Sequence, residues 1–232
     1  MFTDVRLYVQ LLLALVSLLA VIRYSRYLRE ELADRKKGRP AREMPKHLQA
    51  LMGIPIVYFW FIMPFLPQPL LGQQGALSGL TALSAPDFLP HGMGRWIQWG
   101  LGLVLGIGGT VQYVRLMKRN LTVTAEDYCR PKQLMTEGIY AKLRHPIVVS
   151  RFIGTAGLVL FTGATYTALL LPVLAFSLWL SAHVEEKEVL YPVFGHEYHS
   201  YKMAVPGYVC PRVAALLLLL AVGLFLPSAL GG

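Results

Sequence analysis

The chain has 232 residues, 55% of them hydrophobic and 15% charged, with a formal net charge of +9, and its mean hydropathy is +0.48. That balance is too apolar for an ordinary soluble domain of this size and excludes a disordered chain or a disulfide scaffold. A nucleic-acid-binding domain is excluded too, in spite of the basic charge, because the apolar residues are gathered into blocks of bilayer length.

Six spans are predicted, at Leu7 to Ile22, Leu48 to Leu71, Trp96 to Met117, Ile147 to Thr162, Tyr166 to Val184 and Val213 to Leu226. The expected fold is therefore all-α, a polytopic integral membrane bundle. The fourth and sixth blocks are short against the roughly 20 residues a spanning helix needs. The first block is expected to be retained rather than cleaved as a signal peptide. Met1-Phe2-Thr3-Asp4 lacks a basic region, and the run ends on Arg23 without small-residue cleavage chemistry.

Charge sets the orientation. With six crossings, the segments Arg23 to His47, Lys118 to His145 and Glu185 to Arg212 fall on one side. Of the 22 Lys and Arg residues, 20 lie on or next to these segments, and only Arg6 and Arg95 are left for the other side. Lys and Arg near span ends resist translocation, so the basic side is predicted to be cytoplasmic. In a bacterium this would be the cytoplasmic membrane. On the other side, Pro67 to Gly94 carries one charge, Asp87, and reads as a loop against the membrane. A short turn around Gly163 makes the fourth and fifth spans antiparallel neighbours. Cys129 and Cys210 both fall on the reducing side and have no CxxC spacing, so neither a disulfide nor a zinc site is expected.

Polar residues with defined spacing gather in the second and third cytoplasmic segments. The stretch Leu134 to Pro146 runs out of a turn containing Gly138 into the fourth span. Pro146 is placed as the first helical residue, and it biases His145 toward an extended conformation. Arg144 and His145 would then stand beside a helix N-terminus, a setting suited to a carboxylate or phosphate. The simpler account is a pair of topological anchors that snorkel to the headgroups. Further on, Trp179, His183, Glu186 and Leu190 share one face of a continuing helix. Glu185, Glu186 and Glu188 at a span end place like charges together and point to a cationic partner, or else form a solvated helix end neutralised in part by Lys187. Phe194, Tyr198 and Tyr201 recur at helical spacing. Packing is the default for Phe194, whereas Tyr198 and Tyr201 are candidates to meet a ligand at the headgroup level.

The ordered set Leu134, Gly138, Tyr140, Arg144-His145-Pro146, Glu185-Glu186, Leu190, Phe194-Gly195, Glu197-Tyr198, Tyr201 and Val205-Pro206 resembles the isoprenylcysteine carboxyl methyltransferase family. More broadly, it resembles the membrane methyltransferase superfamily that includes phospholipid N-methyltransferases. The resemblance covers Leu134 to about Pro211 and implies an S-adenosylmethionine-dependent membrane enzyme with a cofactor pocket at the cytoplasmic face. It implies that Leu134, Gly138, Tyr140, His145 and Pro146 line the cofactor pocket, and that Glu185 or Glu186 faces the cofactor's ammonium group. Arg144 and Glu186 would stand near the acceptor as catalytic residues, and Tyr198 and Tyr201 would meet a lipophilic or lipid substrate. The chain departs from the family where Ile147-Val148-Val149-Ser150 replaces the usual aromatic and glycine, and where Gly207 follows Pro206.

The expected organisation is a three-span region, 1–117, followed by a methyltransferase core, 118–232. Two other enzyme classes fit parts of the pattern. One is an NADPH-dependent reductase of the sterol reductase type. The other is a metal enzyme using His183, Glu186, His196 and His199, which has few histidines for membrane iron chemistry, and no metal is expected.

Overall fold

The computed structural model describes residues 5–37, 93–124, 131–210 and 212–220. All regular structure among them is helical. In chain order, α1 is Val5–Lys36, α2 is Met93–Thr124, α3 is Pro146–Thr162, α4 is Thr165–Glu185 and α5 is Tyr191–Ala204. A last helix, α6, covers 212–220. The expected second span, Leu48 to Leu71, lies outside the described residues, as does the end of the sixth. Among the described residues one helix, Trp96–Asn120, is long and apolar enough to cross a membrane by length and composition, and Pro146–Thr162 is a shorter apolar helix. The structure thus supplies one clear span for the six expected from sequence.

The antiparallel pair α2 and α3 is the most intimate contact in the bundle, and its cause is legible in residue size. Gly102, Gly106 and Gly109 on α2 face Gly154 and Gly157 on α3. A Cβ on Gly157 would run into the backbone of Gly106, one on Gly109 into Gly154, and one on Gly102 into Phe161. Small residues let two backbones approach this closely in a membrane, where there is little hydrophobic drive between helices. Near the far end of the pair, the buried Gln98 amide donates to the Leu160 carbonyl at 2.8 Å. Gly157→Ala is therefore expected to lower the melting temperature in detergent by several degrees. Gly108→Ala, where a Cβ meets nothing within 4 Å, should leave it unchanged.

The turn expected at Gly163 is present. Gly163 has φ 69° and ends α3. Its N–H bonds the Val159 carbonyl at 2.9 Å, and the Ala164 N–H returns to the same carbonyl at 3.3 Å, a left-handed glycine cap. From there α4 runs back along the bundle. Its Leu170, Leu171, Leu174 and Leu178 join Ile153, Ala156, Val159 and Leu160 of α3, with Leu105 of α2 and Ala14 of α1, in the main apolar core.

The first helix does not stop where its apolar block ends. It continues to Lys36, so the basic residues from Arg23 onward ride on a helical extension beside α4. Tyr24 and Leu28 pack there on Val184 and Val189, and Arg29 pairs with Glu188 at 3.1 Å. Large apolar side chains elsewhere on α1 and α2, including Leu12, Leu15, Trp96, Val104 and Ile107, are exposed. Exposed apolar side chains of this kind suit lipid contact.

Candidate functional site

One end of the bundle is closed by three segments distant in sequence: the 131–145 loop, the junction of α4 and α5, and the stretch after α5. Proline and glycine shape each of them. Gly138 takes φ 64° in the turn where the Tyr140 N–H bonds the Glu137 carbonyl at 3.2 Å. His145 is the N-cap of α3 with φ −116°, and Pro146 is the first helical residue, as the sequence predicts. Glu186–Leu190 forms a π-helical turn between α4 and α5, a local widening often found at functional sites. Gly195, with φ 50°, breaks α5 into two short arms.

These last two features alter the helical faces read from spacing. Trp179 and His183 stack on each other at 5.4 Å and are exposed, whereas Glu186, one turn on, is buried. The wide turn and the chain folding back over it carry Glu186 inward and leave the earlier residues outside. Likewise the Gly195 kink separates Phe194 from Tyr198 and Tyr201. Tyr198 is fully buried, and the Tyr201 hydroxyl donates to the Tyr140 carbonyl at 2.7 Å.

The centre of this end is Glu186. His145 Nε2 lies 2.6 Å from its Oε1, and Arg144 Nε donates to the same oxygen at 3.2 Å. Lys202 Nζ donates to Oε2 at 2.7 Å. Burial opposes ionisation of Glu186 and is the largest single influence, but the hydrogen bonds from His145 and Lys202 together overcome it. Its carboxyl is held well below the usual carboxylate range. An ionised carboxylate only accepts, so the His145 Nε2 carries the proton in this contact. The His145 ring also stacks on Tyr208 at 5.1 Å.

Arg144 ties the network to backbone. Its Nη1 donates to the carbonyls of Lys202 at 2.6 Å and Val205 at 2.8 Å. Two backbone bonds zip the same segments together: the Arg144 N–H to the Pro206 carbonyl at 2.9 Å and the His145 N–H to the Gly207 carbonyl at 3.1 Å. A Cβ on Gly207 would press on Arg144 Nη2 at 2.9 Å, which accounts for glycine after Pro206. Arg144 and His145 therefore do not snorkel. Their side chains are 12% and 5% exposed, and the guanidinium is engaged as a clamp. Arg144→Lys keeps the charge but cannot reproduce the fork. It is expected to lower stability by roughly 1.5–3 kcal/mol, the worth of a hydrogen bond to a charged group, as read by thermal unfolding.

Against this clamp lies a cavity of about 360 Å³. Of the residues singled out in the sequence, Leu134, Tyr140, Arg144, His145, Pro146, Glu185, Tyr198 and Tyr201 line it, whereas Gly138 and Glu186 do not. Gly138 shapes the loop, and Glu186 holds the clamp from behind. Sequence reading did not pick out Tyr24 of α1, Tyr113 and Met117 of α2, Gln133 and Arg151, which also line it. Lys202 was likewise seen only as a charge. Its position one turn after Tyr198 was the available signal.

The cavity has the character of an amphiphile site. Burial, with a contribution from Glu185, pushes the Tyr140 phenol upward, and burial with the charge of Glu186 does the same at Tyr198. Burial raises Tyr201 and Tyr208 to about 12 each. All four phenols stay protonated at neutral pH and can serve as hydrogen-bond donors. The Tyr140 hydroxyl is buried and without a hydrogen-bond partner among the described residues, so a donor is left over for a ligand, whereas the Tyr198 phenol is turned toward the Glu186 carboxylate. Among the described residues no three His, Cys, Asp or Glu side chains gather as a metal set. Cys210 is a free thiol, and Cys129 lies outside the described residues.

Residues 97–197 match the phospholipid methyltransferase family model, from the same membrane methyltransferase superfamily that the motifs resemble. The matched stretch runs from α2 into α5 and so includes Arg144-His145-Pro146 and Glu185-Glu186, but not Tyr198, Tyr201 or Val205-Pro206. No curated protein and no solved structure matches the chain.

Proposed function

We propose that the chain is an S-adenosylmethionine-dependent methyltransferase acting on a lipophilic acceptor at the cytoplasmic face of a membrane. The observation that carries this is one cavity, walled by Leu134, Tyr140, His145, Pro146 and Glu185, inside a segment matched by a methyltransferase family. That match favours methyl transfer over a reductase.

The residues present fit the cofactor. Glu185 would meet its ammonium group, the unpartnered hydroxyl of Tyr140 would donate to an oxygen or ring nitrogen, and Leu134 and Pro146 would cover the apolar face of the adenosine. When bound, S-adenosylmethionine supplies an electrophilic methyl group on a sulfonium that needs no further activation. The protein's share is then alignment and exclusion of water. In this account Gly138 bends the loop that forms one wall, and Arg144 and Glu186 act as positioning residues. They fasten the loop and α5 onto the start of α3. Glu186, ionised and holding three donors, is a poor general base, so an acceptor that must lose a proton would have to be deprotonated elsewhere. Tyr198 and Tyr201 would border the acceptor.

The acceptor class is the finer part of the proposal. The family match favours a phospholipid amine, and the ordered motifs favour a carboxylate such as that of a prenylated cysteine. The test is transfer of labelled methyl from S-adenosylmethionine to the lipid fraction by membranes containing the full chain. Label released by alkali as volatile methanol marks a methyl ester, and label that stays in a non-volatile headgroup product marks an N-methylated amine. Label no higher than in membranes lacking the chain, with both lipid classes supplied, would contradict the proposal.

A further inference from the structure

Arg151 is left over by everything described above. It lies five residues into α3 after Pro146, about 7.5 Å along the axis, in a helix read as membrane-spanning. It lines the same cavity as Tyr113, Met117 and Leu178, and Ile147 and Val148, one turn before it on α3, line it too. Its Nε is buried and has no hydrogen-bond partner, and no ion pair or hydrogen bond is found for its guanidinium among the described residues. An anchoring arginine would reach outward to headgroups, whereas this one is turned into a cavity. A cation at membrane depth with no counter-charge among the described residues is costly, and such residues mark functional sites.

The surroundings specify what would pair with it. The guanidinium fork matches a phosphate or carboxylate, and Ile147, Val148 and Leu178 offer an apolar wall beside it. In the proposed function the cofactor's ammonium would be served by Glu185, seven residues and about 10 Å along α4 from Leu178. We propose that Arg151 binds the oxyanion, phosphate or carboxylate, of an acceptor that carries an apolar chain. This rests on the methyltransferase reading, since it assigns the second occupant of the same cavity.

The test uses the full-length protein in neutral detergent, with bound lipid read by native mass spectrometry. Dioleoylphosphatidylethanolamine is compared with dioleoylglycerol, and oleate with oleamide, in wild type, Arg151→Gln, Arg151→Met and Arg151→Lys. Wild type should prefer one charged lipid over its neutral counterpart roughly ten- to a hundredfold. Preference in the first pair identifies a phosphate, and in the second a carboxylate. The neutral variants should lose that preference, the lysine variant should keep part of it, and S-adenosylmethionine affinity should stay within about twofold in all three. The ratio is read within each variant, so a lower yield of folded protein does not blur it. No preference in wild type, or an unchanged preference in both neutral variants, would overturn the proposal. So would a parallel loss of S-adenosylmethionine affinity, which would assign Arg151 to the cofactor's carboxylate. Wild type that shows the Arg151-dependent lipid preference yet never binds S-adenosylmethionine would instead overturn the methyltransferase reading.

Discussion

Glu186→Gln is expected to destabilise the purified protein by about 3–5 kcal/mol, the usual consequence of removing one partner from a buried ion pair. The amide cannot hold Arg144, His145 and Lys202 together, and these residues fasten the 131–145 loop and the stretch after α5 to the start of α3. Glu188→Gln provides the comparison. Its partner Arg29 is 61% exposed, so loss of that pair should change stability little. The same carboxylate gives the protein an acid limit. A carboxyl with a depressed folded-state pKa contributes stability that is fully present above its unfolded value, near 4.5, and that is lost as pH falls toward the folded value. Wild type should therefore lose stability below about pH 4.5 with a steeper slope than Glu186→Gln. Thermal unfolding in detergent across pH 3 to 7 measures both effects, and parallel pH profiles for the two proteins would remove Glu186 from the centre of the clamp.

Glu185→Gln should behave in the opposite way. Glu185 lines the cavity and Glu186 does not, so the two adjacent acids are expected to separate cleanly, one in binding and the other in stability. Loss of a charge-assisted hydrogen bond to the cofactor's ammonium is worth roughly 1.5–3 kcal/mol, about ten- to a hundredfold in affinity. The melting temperature should fall less than it does for Glu186→Gln. Titration calorimetry with S-adenosylmethionine reads the affinity, and an unchanged value would mean that Glu185 is not the ammonium's partner.

Much of this was legible in the sequence because one-dimensional signals carried it. Apolar blocks located α2, α3 and α4, Gly163 marked the turn between the last two, and Pro146 marked the start of α3 with His145 before it. The ordered motifs also named part of the cavity wall, from Leu134 to Tyr201. What stayed hidden depends on contacts between distant segments. The family resemblance put Glu186 and Arg144 on the acceptor side, but the carbonyls of Lys202 and Val205 that occupy the guanidinium come from about 60 residues away. The π-helical turn at Glu186–Leu190 and the kink at Gly195 interrupt a pattern that reads as continuous helix. Arg151 was read as one more basic residue near a span end, because nothing local distinguishes a guanidinium facing a cavity from one facing headgroups. The glycine contact between α2 and α3 was equally silent, since neither helix alone reveals its partner.

The central claim, that this cavity holds S-adenosylmethionine, is tested most directly by calorimetric titration of the detergent-purified, full-length protein with S-adenosylmethionine and, separately, with NADPH. Saturable one-to-one binding of S-adenosylmethionine, abolished by filling the cavity with Ala182→Trp and accompanied by no heat of binding from NADPH, is the result expected. Ala182 is 1% exposed and lines the cavity, so the thermal unfolding of that variant is measured alongside. Saturable binding of NADPH with none of S-adenosylmethionine by folded wild-type protein would contradict the account.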